Sequence, residues 1–320
     1  MQWELFSYQL RFKYPFKIAH TLRTETDALY FKITNEGKQG WGEAVFPPYI
    51  GQSRNDFYSF FQRLKFPDDI GSIAELHLFL GKLRASYPQM KAGIAGVDIA
   101  LHNYLADRLS CSLPDLLQIQ EKAKPSSMTI GICSKSEMEE RILASGPVAY
   151  FKLKVSEHSA YEMVDHFKSL SDKPFVVDAN QGFTDRKVAY AFSKFLTDLG
   201  VAYLEQPFDK SDFESHLWLK ERTGISIIAD ESFQGMSDLN AVAAAFDGVN
   251  VKLSKCGGLA ESLMSLQRAK EDLGLITVLG CMSESSVAIK AAESLAVFAD
   301  YLDLDGPHLI SNDPNLAAFA

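Results

Sequence analysis

Tyr150-Phe151-Lys152-Leu153-Lys154 opens the stretch that decides the fold, which runs on to Ser254. Within it, Lys152-Leu153-Lys154, Asp178-Ala179-Asn180, Glu205-Gln206-Pro207, Asp230-Glu231-Ser232 and Asn250-Val251-Lys252 each follow or complete a short apolar run. From Lys154 to Asp178, Glu205, Asp230 and Lys252 the steps are 24, 27, 25 and 22 residues. That is the length of one strand, one helix and two loops. A charge at the end of each buried strand in turn is the pattern of a parallel barrel that carries its chemistry on one rim.

Outward from this stretch the alternation continues. Strands are expected over 127–132, 150–155, 175–179, 201–205, 226–230, 248–253, 275–281 and 300–304. Helices are expected over 135–145, 159–170, 184–198, 211–223, 237–245, 259–272 and 285–298. Eight strands and seven helices at this spacing argue for a (β/α) barrel. An open doubly wound sheet would carry a Gly-rich turn after its first strand, and none follows Ile130-Gly131-Ile132.

The first 120 residues read differently. Glu4 to Phe12, Ala28 to Thr34 and Trp41-Gly42-Glu43-Ala44 have the alternation of antiparallel strands. A polar loop from His20 to Asp27, containing Arg23, is expected between the first two strands. The segment Phe46-Pro47-Pro48-Tyr49-Ile50-Gly51 forms a second loop. Helices follow over 55–64, 73–87 and 93–109. We therefore expect an α+β domain over 1–120 and a barrel over 121–320.

Composition narrows the partners. The net charge is −9 and no basic block stands out, so nucleic acid is not expected. The longest apolar runs are too short to span a bilayer, and the N-terminus lacks the pattern of a signal peptide. Cys111, Cys133, Cys256 and Cys281 form no CxxC pair and suit reduced thiols in the cytoplasm. Oligomeric state is not fixed by the sequence, and a homo-oligomer stays open.

Asp178, Glu205 and Asp230 end three consecutive strands, which in a barrel lie about 5 Å apart. Three converging carboxylates repel one another unless a cation joins them. Oxygen ligands suit Mg²⁺, and the lack of histidine at these strand ends argues against zinc. An ordinary rim acid paired with a lysine would explain one of them, not three in register. Lys154 and Lys252 flank the triad by one strand on either side. Two such bases can remove a carbon-bound proton from one face and return one to the other. Lys152 shares a face with Lys154. Beyond the seventh strand, Gly280-Cys281-Met282-Ser283-Glu284 can offer backbone N–H groups to a carboxylate. Asp303 and Asp305, placed on one face by the period of two, would suit a substrate ammonium group, although a surface turn explains them equally well.

The set Lys152-Leu153-Lys154, Asp178-Ala179-Asn180-Gln181-Gly182-Phe183, Glu205-Gln206-Pro207, Ala229-Asp230-Glu231-Ser232, Asn250 to Gly258 and Gly280 to Ser285 resembles the muconate-lactonizing subgroup of the enolase superfamily. Sites of that superfamily pair a Lys or His base with Mg²⁺. The resemblance covers nearly the whole chain, including Trp41-Gly42-Glu43. Asp303-Leu304-Asp305 resembles the DxD signature of dipeptide epimerases, in which it holds the ammonium of the N-terminal residue. The resemblance implies an enolase-superfamily (β/α)7β TIM-like barrel closed by an N-terminal α+β capping domain. It implies Mg²⁺ on Asp178, Glu205 and Asp230, with Lys154 and Lys252 as the two bases. It implies that Thr129, Lys152, Cys281, Met282 and Ser283 contact a dipeptide substrate. Leu22-Arg23-Thr24 is similar to the Leu-Arg-Thr of alanyl-glutamate epimerases, so Arg23 would meet a glutamate side chain. Two extra residues separate it from Pro15-Phe16-Lys17.

The implied activity is Mg²⁺-dependent epimerisation of L-Ala-D/L-Glu type, in the cytoplasm, on peptides recycled from peptidoglycan. The alternatives are o-succinylbenzoate synthesis or muconate cycloisomerisation on the same barrel, and a non-catalytic barrel with a binding role. Members of the family return a strand to the capping domain after the last barrel strand. This chain reaches Ala320 soon after Ile310-Ser311-Asn312-Asp313.

Overall fold

The computed structural model describes residues 1–46, 51–120 and 124–319. Pro47-Pro48-Tyr49-Ile50 of the second expected loop, and residues 121–123 at the expected domain boundary, lie outside them.

Alternating burial sets β1 (Gln2–Lys17), β2 (Leu22–Asn35) and β3 (Lys38–Val45) into an antiparallel sheet in the order β1-β2-β3. Its apolar face, with Leu29, Phe31, Ile33 and Ala44, packs in one core with α1 (Arg54–Phe61), α2 (Ile73–Ser86) and α3 (Lys91–Leu109). Ser53 and Ser72 cap α1 and α2 by accepting from the backbone N–H of Asp56 and Glu75. A Cβ on Gly42 would lie 2.0 Å from the carbonyl oxygen of Gly96, so only glycine lets β3 and α3 meet this closely.

The polar loop expected over His20 to Asp27 is mostly strand. The β1–β2 register shifts between Arg11 and Phe16, then pairing resumes with Phe16 opposite Arg23 and Lys17 opposite Leu22. Pro15 has no N–H to give to a ladder and falls inside the irregularity. The turn proper shrinks to Ile18–Thr21, closed by Ile18 N–H on the carbonyl of Thr21 at 2.9 Å. Arg23 therefore stands on a paired strand.

After the short α4 (Leu113–Leu116), strands and helices alternate. The strands are β4 (Ser127–Ile130), β5 (Tyr150–Lys154), β6 (Phe175–Asp178), β7 (Tyr203–Glu205), β8 (Ser226–Ala229), β9 (Gly248–Lys252), β10 (Ile276–Gly280) and β11 (Tyr301–Asp303). Each is parallel to the next, in the order β4 to β11. The intervening helices are α5 (Lys135–Ala144), α6 (Ala160–Leu170), α7 (Arg186–Asp198), α8 (Phe213–Lys220), α9 (Leu239–Ala245), α10 (Leu253–Cys256), α11 (Leu259–Gln267) and α12 (Ser286–Glu293). α13 (Gly306–Leu309) follows β11. This is the expected (β/α)7β barrel. The seam between β11 and β4 carries one isolated parallel bridge, Ser126 to Leu302.

Three helices depart from expectation, the one expected over 259–272 being α-helical only to Gln267 and ending in a π turn over Arg268–Asp272. The helix expected over 285–298 stops at Glu293, and a separate single turn occupies Ala296–Phe298. The extra α10 ends where the backbone turns through positive φ at Gly257 (85°) and Gly258 (119°). There the barrel meets α3 most closely, for a Cβ on Gly258 would lie 2.2 Å from Cγ of Asp98. Asp98 Oδ1 accepts from Leu259 N–H at 2.8 Å, so a residue of α3 caps a barrel helix.

The returning segment is present in brief form. Ile310 bridges Phe12 antiparallel, Ser311 N–H donates to the carbonyl of Arg11, and Asn312 bonds Arg11 and Gln9. Among the described residues no helix is long and apolar enough to cross a membrane.

The site follows from strand periodicity. Val176, Tyr203, Ile228 and Val278 form an apolar floor inside the barrel. Two residues further on, the same inward positions are Asp178, Glu205, Asp230 and Gly280.

Candidate active site

Asp178, Glu205 and Asp230 each place a carboxylate oxygen within 4.8 Å of the others, and all are buried. Just past Asp178 and Glu205 the backbone turns sharply through the left-handed region, at Asn180 (φ 43°), Gln181 (64°) and Gln206 (39°). Gln206 Oε1 accepts from the N–H groups of Asp230 and Ser232, which fixes one strand end against the next.

Four lysines surround the acids. Lys154 Nζ donates to Asp178 Oδ2 at 2.5 Å. Lys252 Nζ donates to Asp230 Oδ2 at 2.8 Å. Lys255 Nζ donates to Asp230 Oδ1 at 2.6 Å. Lys152 lies beneath them, fully buried, bonded to Glu205 Oε1 at 2.9 Å and Asp303 Oδ2 at 2.7 Å, with Asp178 Oδ2 at 3.2 Å. Although burial works against it, Asp303, Glu205 and Asp178 hold the Lys152 ammonium well above its ordinary range.

The acids split by environment. Burial opposes ionisation of Asp178 and Asp230, yet Lys154 and Lys152 hold the first low, and Lys252 and Lys255 hold the second lower still. Burial pushes Glu205 up, and the charges of Asp178 and Asp230 add to this against the pull of Lys152. Its Oε2 lies 2.9 Å from Lys152 Nζ, while the buried Oδ1 of Asn180 and Oε2 of Glu231 receive no hydrogen bond. These orphaned atoms beside the triad are both acceptors. An oxygen-seeking cation fits such a donor set, and the triad with it.

At the barrel seam, Asp303 Oδ1 accepts from Ser127 Oγ at 2.8 Å and Thr129 Oγ1 at 3.4 Å. Asp305 Oδ2 accepts from Thr129 N–H at 2.5 Å. Asp305 stands beyond the end of β11, so the period of two does not place it; it reaches the site as the first residue before α13. Burial and the charge of Asp303 push Asp305 up to about 6, while Asp303 itself, despite burial, is drawn by Lys152 and Lys154 down to about 2.

The open space above the triad is a pair of adjoining cavities, of ≈ 50 and ≈ 160 Å³, that share Asp230, Glu231 and Met282. Of the residues singled out from sequence, Arg23, Thr129, Lys154, Lys252, Cys281, Met282, Ser283, Asp303 and Asp305 line the smaller one. Lys152 does not line either. Its Nζ is consumed by carboxylates below the cleft, so it acts as their counter-ion there and does not face a ligand. Arg23 Nη2 donates to Ser283 Oγ at 3.3 Å, and its guanidinium lies over the ring of Phe12.

Sequence reading missed several groups. Asn250 Nδ2 donates to Glu205 Oε1 at 2.9 Å. Glu43 accepts from Ser285 N–H and Oγ and from Ala288 N–H, tying β3 to the loop that carries Met282 and Ser283. Glu284 is buried and Glu231 half-buried, and loss of solvent pushes each up to about 7. Asn250, Glu231 and Glu284 stand inside quoted motifs, and their adjacency to the triad was the available signal. Glu43 stands in the quoted Trp41-Gly42-Glu43, but its role could not be read there, because its partners lie 242 and 245 residues away.

Residues 135–309 match the family described as enolase C-terminal domain-like. The chain is 32% identical to the L-Ala-D/L-Glu epimerase of Bacteroides thetaiotaomicron over 315 residues, covering 98% of this chain and 82% of that protein. Among solved structures it is similar to the L-Ala-D/L-Glu epimerase of Bacillus subtilis in a substrate-liganded complex, with TM-score 0.89, 25% identity, and 98% and 91% of the two chains covered. It is also similar to the dipeptide epimerase of Methylococcus capsulatus complexed with Mg and L-Arg-D-Lys, with TM-score 0.86, 27% identity, and 98% and 92% covered.

Proposed function

The chain belongs to the enolase C-terminal domain-like family, and on that premise we propose that it is a Mg²⁺-dependent dipeptide epimerase acting at the α-carbon of the C-terminal residue. The observation that carries the reading is the pair Lys154 and Lys252, set one strand before and one strand after the triad and each bonded to an outer member of it. Asp178, Glu205 and Asp230 would hold the ion. When bound, Mg²⁺ supplies positive charge against the negative charge that develops on the substrate carboxylate as the α-proton leaves.

The protein's own groups do the rest. One lysine enters without its proton and takes the α-proton onto Nζ. The other enters protonated and gives its proton to the opposite face of the same carbon. Their roles exchange with the direction of reaction. Lys152 keeps Glu205 and Asp303 apart in charge and in place. Burial and the charge of Asp303 leave Asp305 part of its carboxyl proton, and an approaching ammonium favours its charged form. Asp303 and Asp305 thus receive the N-terminal ammonium. Arg23, fixed on β2 beside Ser283, offers a guanidinium fork to an acidic side chain. With the Bacteroides relative this supports a substrate of L-Ala-D/L-Glu type.

The residues over 1–120 serve as the cap and 121–320 as the catalytic barrel. All four cysteines are free thiols, which suits a cytoplasmic enzyme acting on peptides recycled from the cell wall.

The test is exchange in deuterated water. The wild type exchanges the α-proton of both epimers of Ala-Glu. Lys154→Ala retains exchange of one epimer and loses the other, and Lys252→Ala does the reverse. Exchange of both epimers by both variants would remove the two-base assignment. A dipeptide library headed by apolar or cationic C-terminal residues would remove Arg23 as the reader.

A further inference from the structure

Lys255 has three donors, and the structure uses all of them. Its Nζ bonds Asp230 Oδ1 at 2.6 Å, the carbonyl of Asp230 at 2.7 Å and the carbonyl of Asn250 at 2.8 Å. The side chain is 2% exposed. It is held there by α10, the short helix that turns back directly after β9.

The consequence for Asp230 is an asymmetry between its oxygens. Oδ1 and the backbone carbonyl are pinned to one ammonium. Oδ2 is shared only with Lys252, a group that must leave it to reach substrate. Asn250, the other residue Lys255 holds, donates through its side chain to Glu205 Oε1. One ammonium therefore governs the attitude of two triad members, directly for Asp230 and through the backbone of β9 for Glu205.

We infer that Lys255 is a positioning residue of the metal site: it clamps Asp230 and Asn250 so that Asp230 presents Oδ2, and Glu205, held through Asn250, presents its carboxylate to the ion. Its Nζ is engaged by Asp230 and Asn250, so it acts through them and not on the reacting carbon. The inference rests on the metal-site reading above.

Positioning and simple charge predict opposite signs, which makes the test decisive. An ammonium 2.6 Å from a ligand oxygen repels a cation. If Lys255 acted through its charge alone, Lys255→Met would tighten Mg²⁺. If it positions the ligands, Lys255→Met weakens Mg²⁺ by ~10-fold or more, as loss of groups that orient metal ligands does. Mg²⁺ binding to the substrate-free protein is read by titration calorimetry, and folding by thermal denaturation in EDTA. Lys255→Arg, which keeps donors and charge, restores most of the affinity. Should the methionine variant fail to fold, Lys255→Gln takes its place with the same reading.

Unchanged or tighter Mg²⁺ binding in a folded variant overturns the role of Lys255. A wild type that binds no Mg²⁺ overturns the metal-site reading itself, so the two failures are distinguishable. At saturating Mg²⁺ the methionine variant regains most of its kcat, whereas a damaged base would not.

Discussion

At the scale of single residues, burial decides which titrations matter. His216 is fully buried, and its Nε2 accepts from the N–H of Phe208 and lies 3.2 Å from Gln206 Nε2, while Nδ1 faces the carbonyl of Asp212. Burial lowers its pKa from 6.5 to about 4. The folded state therefore binds fewer protons than the unfolded chain between those values. Its contribution is complete above 6.5 and is lost as pH falls through that window. Between pH 7 and pH 5 the loss amounts to about 2 kcal/mol. Urea denaturation at both values should show His216→Gln losing less stability on acidification than the wild type. The triad was legible at this scale because each acid follows an apolar strand. Lys255 was not, because its role depends on α10 turning it back onto β9, and Leu253-Ser254-Lys255-Cys256 is too short to announce a helix.

At the scale of elements, the loop from Cys281 to Ser285 is held from outside its own unit. Glu43, on β3, satisfies N–H groups at the start of α12 that the helix cannot satisfy itself. Glu43→Gln sets an amide donor against these donors. We expect a loss of about 1–3 kcal/mol in thermal or urea denaturation. A raised KM for the dipeptide should accompany it, since Met282 and Ser283 line the cleft. The barrel elements were legible because apolar strands recur at regular steps. The β1–β2 turn was misread because polarity from His20 to Asp27 suggests a loop, while pairing past Pro15 depends on a partner strand that no local pattern names.

At the scale of the molecule, three buried acids around one point favour a folded state that holds a cation. Mg²⁺ at a hundredfold excess over its Kd should stabilise the protein by about 3 kcal/mol. Scanning calorimetry should show a rise in Tm of several degrees from EDTA to Mg²⁺, and Glu205→Gln should abolish that rise. A Tm indifferent to Mg²⁺ in the wild type would count against the triad as a metal site. How the two units dock was not readable from sequence. Asp98 capping α11 and His20 reaching the carbonyl of Gln181 join residues 161 apart in each case, with no periodicity to betray them.

The barrel seam has a consequence for how such an enzyme can change. Beside the bridge from Ser126 to Leu302, Asp303 on Ser127 and Asp305 on Thr129 join with Ser126 Oγ, bonded to the backbone of Leu302 and Leu304, in sewing the seam together. The same two carboxylates receive the substrate's ammonium in the proposed reaction. Drift toward substrates without an ammonium therefore meets resistance from folding as well as from catalysis. Evolution, or an engineer, meets at the N-terminal side of the substrate a recognition site tied to the closure of the barrel.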